Sequence, residues 1–270
     1  MKDLTKYPVV KELGNALLLL KKNPFWLVIA SIIDALFFLA WGFFTTPVSD
    51  KIIEHSVLLA NQLSEILKQQ PGRVPTGLLS KLFSTEMWPY TAKLITLILL
   101  LFAIIYLLYC IFHGSSWWMA THIAGEKKTY KHYFLGFAKI NLLWIACFIL
   151  YKFLDLIAGL RHVLVQKIVP GTPNIAGNVL FGLILVVGVA AVFSYPFLRA
   201  KTLFATPLST SIPLIVLSAS LYFCAQFILN MIGKININAA LLFGLLILFP
   251  TMNLIRVYIT RVLRNVHPHT

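Results

Sequence analysis

Seven of the polar or charged residues inside long apolar runs of this sequence are candidates for chemistry: Asp34, Lys152, Asp155, Gln226, Asn230, Asn253 and Arg256. Ionisable groups at bilayer depth are costly and often functional. Asp34 lies about ten residues into the first run. Lys152 and Asp155 are spaced i and i+3, which puts them on one helical face and lets them pair. Gln226 and Asn230 share a face through i, i+4 spacing, and Arg256 lies close to Asn253 near the inner end of the last run. One chemistry these types can perform is proton or cation transfer, with Asp34 as the titrating group and Lys152–Asp155 as a gate. The other reading is structural. Lys152–Asp155 is then a local ion pair, and Asp34 is hydrogen-bonded to another span, holding a helix bundle together.

Signatures of catalysis are missing. No GxSxG, HExxH, Walker loop or GxGxxG occurs, so no catalytic residue is assigned. Gly114-Ser115-Ser116 has no base paired with it and reads as a helix break at the inner end of the second run. His113, His122 and His132 fall in one segment, but their spacing matches no zinc pattern and no cysteine or carboxylate pair completes a set. No metal and no cofactor is expected. Cys110, Cys147 and Cys224 are odd in number and lie in apolar runs, so they read as small buried hydrophobes rather than a disulfide framework. His267-Pro268-His269 reads as an exposed tail.

The elements that position these residues emerge from composition. Of 270 residues, 59% are hydrophobic and 12% charged, whereas a soluble domain is about 25% charged. A soluble surface cannot be built from this chain. The expected fold class is all-α: a polytopic membrane helix bundle, one transmembrane domain over 1–270. About 20 helical residues cross a bilayer. Six stretches qualify, at about 25–44, 91–112, 140–158, 175–198, 212–232 and 239–260. The first ends before Pro47 and, with no small-x-small cleavage site after it, reads as an uncleaved signal-anchor. Pro213 falls in the first turn of the fifth, where proline is tolerated, and Pro250 should kink the sixth.

The net charge is +14. With no nucleic-acid-binding signature present, that excess reads as membrane topology and not as a nucleic-acid partner. Lys and Arg concentrate in the N-terminal segment, in the segment after the second span and in the tail, which predicts both termini in the cytoplasm of a cell-membrane protein. The large loop, about 45–90, carries Val48, Ile52, Leu59, Leu63 and Ile66 at helical spacing. This predicts an amphipathic helix over about 48–69, stopped by Gln70-Pro71-Gly72. Residues 3–21 and 115–138 are further candidates for interfacial anchoring, the second with Trp117, Trp118, Tyr130, Tyr133 and Phe134 among lysines.

A weak echo links Gly14, Lys22-Asn23 and Trp26 before Asp34 with Gly136, Lys139, Asn141 and Trp144 before Asp155. It reads as a common membrane-boundary composition, with a parallel two-span repeat as the alternative.

The basic start, Lys21-Lys22-Asn23-Pro24-Phe25-Trp26 leading to Asp34-Ala35-Leu36-Phe37-Phe38, is followed by Gly125-Glu126-Lys127-Lys128 and Tyr133-Phe134-Leu135-Gly136-Phe137. In this order the chain resembles uncharacterised six-helix integral membrane proteins of prokaryotes, loosely the YciC-like proteins and the membrane domain attached to some glycerophosphodiester phosphodiesterases. The resemblance implies the six-span, both-ends-inside topology and carries no catalytic residue. Three functions compete. The first is a non-catalytic protein that organises lipid or a partner membrane protein. The second is a small transporter or channel, acting as a homo-oligomer. The third is a lipid-modifying enzyme whose only polar candidates at the inner interface are His113, His122, Asn253 and Arg256. Clustering of Asp34, Asp155, Gln226, Asn230 and Asn253 around one cavity would favour transport.

Overall fold

The computed structural model describes residues 8–68, 83–168 and 171–267, and all regular structure among them is helical. In chain order the elements are α1 (Pro8–Lys22), α2 (Pro24–Lys68), α3 (Trp88–Leu108), α4 (Gly114–Ile123), α5 (Tyr130–Ile168), α6 (Ile175–Ser194), α7 (Thr202–Ala205), α8 (Leu208–Ile235), α9 (Ile237–Phe243) and α10 (Phe249–Val266). A five-residue π-turn joins α3 to α4 (Tyr109–His113), and another joins α9 to α10 (Gly244–Leu248). Among the described residues, six stretches are long and apolar enough to cross a membrane: Pro24–Leu59, Trp88–Ile123, Tyr130–Asp155, Ile175–Ser194, Leu208–Ile235 and Ile237–Val266. They match the six sequence runs, each within one helix or one π-linked pair.

Two compact units share the chain. One holds the residues up to Ala35 and those from Cys110 on; the other is Leu36–Tyr109. In the second unit, Phe37 is buried and sits edge-on to Phe38 and Tyr109.

Three boundaries differ from the sequence reading. α2 runs straight through Pro47, so the anticipated amphipathic helix is the continuation of the first span. Proline removes one helical hydrogen bond, a single defect in 45 residues, while Thr45 Oγ1 donates to the Trp41 carbonyl at 2.7 Å just upstream. At 1.5 Å per residue α2 measures about 68 Å, more than twice the hydrocarbon thickness. The expected stop at Gln70-Pro71-Gly72 lies outside the described residues. Second, Gly114-Ser115-Ser116 opens α4 instead of breaking a helix. The π-turn absorbs the irregularity, and the missing side chain at Gly114 admits the Phe137 ring, 3.1 Å from where a Cβ would stand. Third, α8 begins at Leu208, which places Pro213 inside it. Pro250 sits at the start of α10, directly after the second π-turn; a wider turn there relieves the clash between the proline ring and the preceding carbonyl.

Within the first unit, α10 is the central element. α1, α4 and α8 pack on it, and Val257, Tyr258 and Leu263 are fully buried. α1 is therefore a docked helix, not a lone interfacial one: Val9, Ala16 and Leu20 face inward, and Glu12 accepts from Arg261 Nε at 3.0 Å. Asn23 is the single residue between α1 and α2; its Nδ2 donates to the Leu19 carbonyl, and Pro24 opens the next helix where its missing N–H costs nothing. Arg264 Nη1 donates to the Ala124 carbonyl at 2.9 Å, closing the end of α4 before Gly125, whose φ of 97° needs a glycine.

A second core lies where α5 meets α6. Tyr133 and Phe137 are fully buried, Tyr133 Oη donates to the Tyr195 carbonyl at 2.8 Å, and the Phe137 and Tyr195 rings lie 4.7 Å apart. Asn141 accepts from Tyr195 Oη at 3.3 Å and donates to Cys110 Sγ at 3.4 Å; Trp144 Nε1 donates to Ser194 Oγ at 2.9 Å. Tyr133, Phe137 and Trp117 are thus core, and Tyr133 and Trp117 are not the interfacial anchors the sequence suggests. Trp118, Tyr130 and Phe134 form a partly exposed aromatic row. The echo residues differ in use. Asn23 caps its own helix, and Trp26 meets Trp118 and His122, whereas Asn141 and Trp144 bond across to other helices. Cys110 is buried and Cys224 exposed on the outer face of α8, against the expectation that all three cysteines are buried.

Asn174 caps α6, its Oδ1 accepting from the Gly177 N–H at 3.0 Å. Asn174→Ala is expected to cost about 1 kcal/mol, read as a lowered thermal midpoint of the protein in nanodiscs.

Candidate functional site

Asp34 is completely buried in the first unit, and both its carboxylate oxygens are engaged. Oδ1 accepts from Ser116 Oγ at 2.9 Å. Oδ2 accepts from Arg256 Nη1 at 2.5 Å and from Asn253 Nδ2 at 3.3 Å. Arg256 Nη1 also donates to Asn253 Oδ1 at 3.0 Å, and its Nη2 lies 3.1 Å from His113 Nδ1. A guanidinium only donates, so His113 accepts at Nδ1 and carries its proton on Nε2. His113 is then a neutral neighbour of Asp34, whose Oδ1 is 3.9 Å away, and the cluster balances one carboxylate against one guanidinium.

Three helical arms deliver these groups. α2 carries Ser31, whose Oγ accepts from Asn253 Nδ2 at 3.4 Å, and Asp34, about 15 Å along the helix from Pro24, near half the thickness of a hydrocarbon core. His113 ends the first π-turn, and Ser116 comes three residues later in α4. α10 begins directly after the second π-turn and carries Asn253 and Arg256 one turn apart. A π-turn holds an extra residue and so rotates the next stretch of helix about its axis. Both partner arms are re-aimed in this way just before their polar residues. Asn253 is further tied down by its Nδ2, which donates to the Phe249 carbonyl at 3.0 Å.

Of the seven residues singled out in the sequence, the structure brings three together: Asp34, Asn253 and Arg256. Lys152 and Asp155 do not pair. Lysine in a helix leans back over the preceding turn, and Lys152 Nζ stands over the Phe148 and Tyr151 rings, 5.7 and 5.4 Å from their centres. Gln226 Nε2 donates to Tyr222 Oη at 3.1 Å on an exposed face of α8, and Asn230 is exposed one turn further on. Neither reaches Asp34. Sequence reasoning misses Ser116 and Ser31, and it assigns His113 to the membrane interface. The available signal is the spacing of His113 and Ser116, three apart in an apolar run, which a helical wheel places on one face. No group of His, Cys, Asp or Glu able to hold a metal ion occurs among the described residues.

Six apolar helices of membrane-crossing length define a multi-pass membrane protein. No family model, no curated protein and no solved structure matches the chain.

Proposed function

We propose that the chain is a non-catalytic integral membrane protein that organises lipid or holds a partner membrane protein, with both termini in the cytoplasm. The kinship with six-helix prokaryotic membrane proteins belongs to the same reading and rests on the Lys21–Trp26 and Tyr133–Phe137 segments. The observation that supports it best is the state of Asp34, wholly buried with both oxygens engaged by donors from two other helical arms. A relay group must exchange protons or ions with a path. Asp34 instead closes a charge-balanced clasp, the arrangement in which buried polar groups hold transmembrane helices together. Lys152, Asp155, Gln226 and Asn230 lie away from the clasp and build no common site with it.

Two experiments test this. Hydrophobic carbodiimide applied to the protein in native membranes is expected to leave Asp34 unmodified. Modification of Asp34 that a permeant cation blocks would overturn the reading in favour of transport. Extraction into native-lipid nanodiscs, with mass spectrometry of the co-purifying species, is expected to return a stoichiometric membrane protein or a tightly held lipid. For orientation, Asp50→Cys is expected to react with an impermeant maleimide on intact cells, and Lys127→Cys only after permeabilisation. The reverse pattern refutes the cytoplasmic placement of the ends.

A further inference from the structure

A cavity of about 170 Å³ opens at the surface where α6 ends at Ser194, α8 begins at Leu208 and α10 ends at Val266. Phe197, Arg199, Lys201, Thr202, Ala205 and His267 line it, and the wall is almost wholly apolar. Thr202 is buried, with its hydroxyl turned to the Arg199 carbonyl at 2.7 Å. His267 does not belong to a free tail, as its sequence context suggests. It is half-buried and placed by two contacts, Thr206 Oγ1 at 3.2 Å from its Nε2 and the Phe197 ring edge-on at 6.1 Å. Arg199 and Lys201 are exposed. Long cationic side chains lay their stems on apolar surface and keep the charge in water. These two therefore supply methylenes to the wall and positive charge to the surface around it.

Depth in the membrane narrows what fills the cavity. α6 has 20 residues, about 30 Å of helix and one whole hydrocarbon thickness. The chain beyond Ser194 therefore lies past the acyl chains. Leu198, with φ of 60°, turns it back over the helix end, and the Arg199 N–H closes the turn on the Ser194 carbonyl at 3.1 Å. On this water side Phe204 is 81% exposed and Leu208 74%. Apolar side chains facing water beside an apolar hollow mark a protein contact. Charge narrows the partner further. Residues 156–270 contain no aspartate or glutamate, and Arg199 and Lys201 form no ion pair among the described residues.

We propose that the cavity is the anchor site for an acidic segment of a partner protein, which inserts one aromatic side chain and sets its carboxylates near Arg199 and Lys201. An apolar cavity of about 150 Å³ accepts a benzene ring, so this one has room for a phenyl group and little more. A buried aromatic anchor carries most of the energy of such a contact, and the surrounding charges add orientation and speed of encounter. The proposal deepens the reading of the chain as a protein that holds a partner, and it rests on that reading. It does not depend on the role of Asp34.

The test uses the full chain in nanodiscs of phosphatidylcholine, which carries no net charge, and fluorescein-labelled peptides read by anisotropy. The probe is Glu-Asp-Glu-Phe-Glu-Asp-Glu. In one control glycine replaces the phenylalanine, and in the other lysine replaces every acid. The probe is expected to bind about tenfold tighter than the glycine control, and the lysine control to bind more weakly than either. Ala205→Phe fills the cavity with the charge kept and is expected to erase the preference for phenylalanine. Arg199→Gln/Lys201→Gln is expected to weaken both acidic peptides alike, by about fivefold, with the preference kept. Thermal midpoints confirm folding, and Ala205→Leu takes the place of Ala205→Phe if the larger residue lowers the midpoint. Equal affinity of the probe and either control, or a preference that Ala205→Phe leaves in place, overturns the proposal. So does quenching of a bimane label on Phe204→Cys by nitroxide-bearing lipids, which would make the bilayer the occupant. A stoichiometric co-purified membrane protein together with equal peptide affinities would strike the cavity and leave the partner-holding reading standing. A cavity-dependent preference with no co-purified protein would do the reverse.

Discussion

Replacing Arg256 by methionine is expected to destabilise the folded protein by about 3–5 kcal/mol, and adding Asp34→Leu in the same chain to return most of that loss. The single change leaves a fully buried carboxylate with hydrogen bonds from only the Ser116 hydroxyl and the Asn253 amide. It also strips His113 Nδ1 and Asn253 Oδ1 of their Arg256 donor. An uncompensated charge in the interior is the expensive species. A pair replaced by apolar side chains of similar volume is often neutral or better. Recovery stays incomplete because His113, Ser116 and Asn253 remain polar with fewer partners. Arg256→Lys is expected to fall between, since an ammonium keeps the charge but cannot serve Asp34, Asn253 and His113 from one planar group. Unfolding midpoints of wild type, both single variants and the double variant in nanodiscs of one composition decide the matter. Costs that simply add would show that Asp34 and Arg256 do not act as a pair.

The six spans are legible in the sequence because a bilayer imposes a length that needs only a count of apolar residues. The individual members of the clasp are legible too: a buried charge in an apolar run is conspicuous, and Asp34 and Arg256 both stand in one. Their partnership is not. It joins residues 222 apart in the chain, and it depends on the rotation of three helical arms, two of them reset by π-turns whose occurrence has no simple sequence mark. Ser116 is hidden for a related reason. A Gly-Ser-Ser triplet reads as a break, yet in apolar surroundings serine keeps the helix going by returning its hydroxyl to the backbone, as Ser115 does to the Ile111 carbonyl at 2.5 Å. Lys152 and Asp155 show the opposite error. Their spacing permits a pair, but spacing on a helix says nothing about which way a long side chain leans, and two aromatic rings lie on the side Lys152 takes.

Gly136→Ala is expected to cost about 1–3 kcal/mol as a small-to-large change in a packed core, a large effect for one methyl group on a helix whose intrinsic preference is for alanine. The new Cβ falls on the Leu198 side chain. An exposed leucine would swing aside. Leu198 sits at the left-handed residue of the turn that ends α6, with Arg199 N–H bonded back to Ser194, so its direction is set by a backbone that cannot follow. The adjoining face of α5 holds Tyr133 and Phe137, which are both fully buried and leave no slack. The same geometry predicts the rescue. Leu198→Gly removes the clash and restores the residue type that a left-handed helix end prefers, a relief of about 1–2 kcal/mol against the lost leucine packing. Gly136→Ala is therefore expected to cost far less in a Leu198→Gly background than alone, with the difference read from thermal midpoints in a double-mutant cycle. If the two changes add, Gly136 and Leu198 are not a fitted pair. If they couple as expected, the glycine in Tyr133–Phe137 is there to accept a leucine from the next helix end, and the strained turn beside Arg199 is held by that contact.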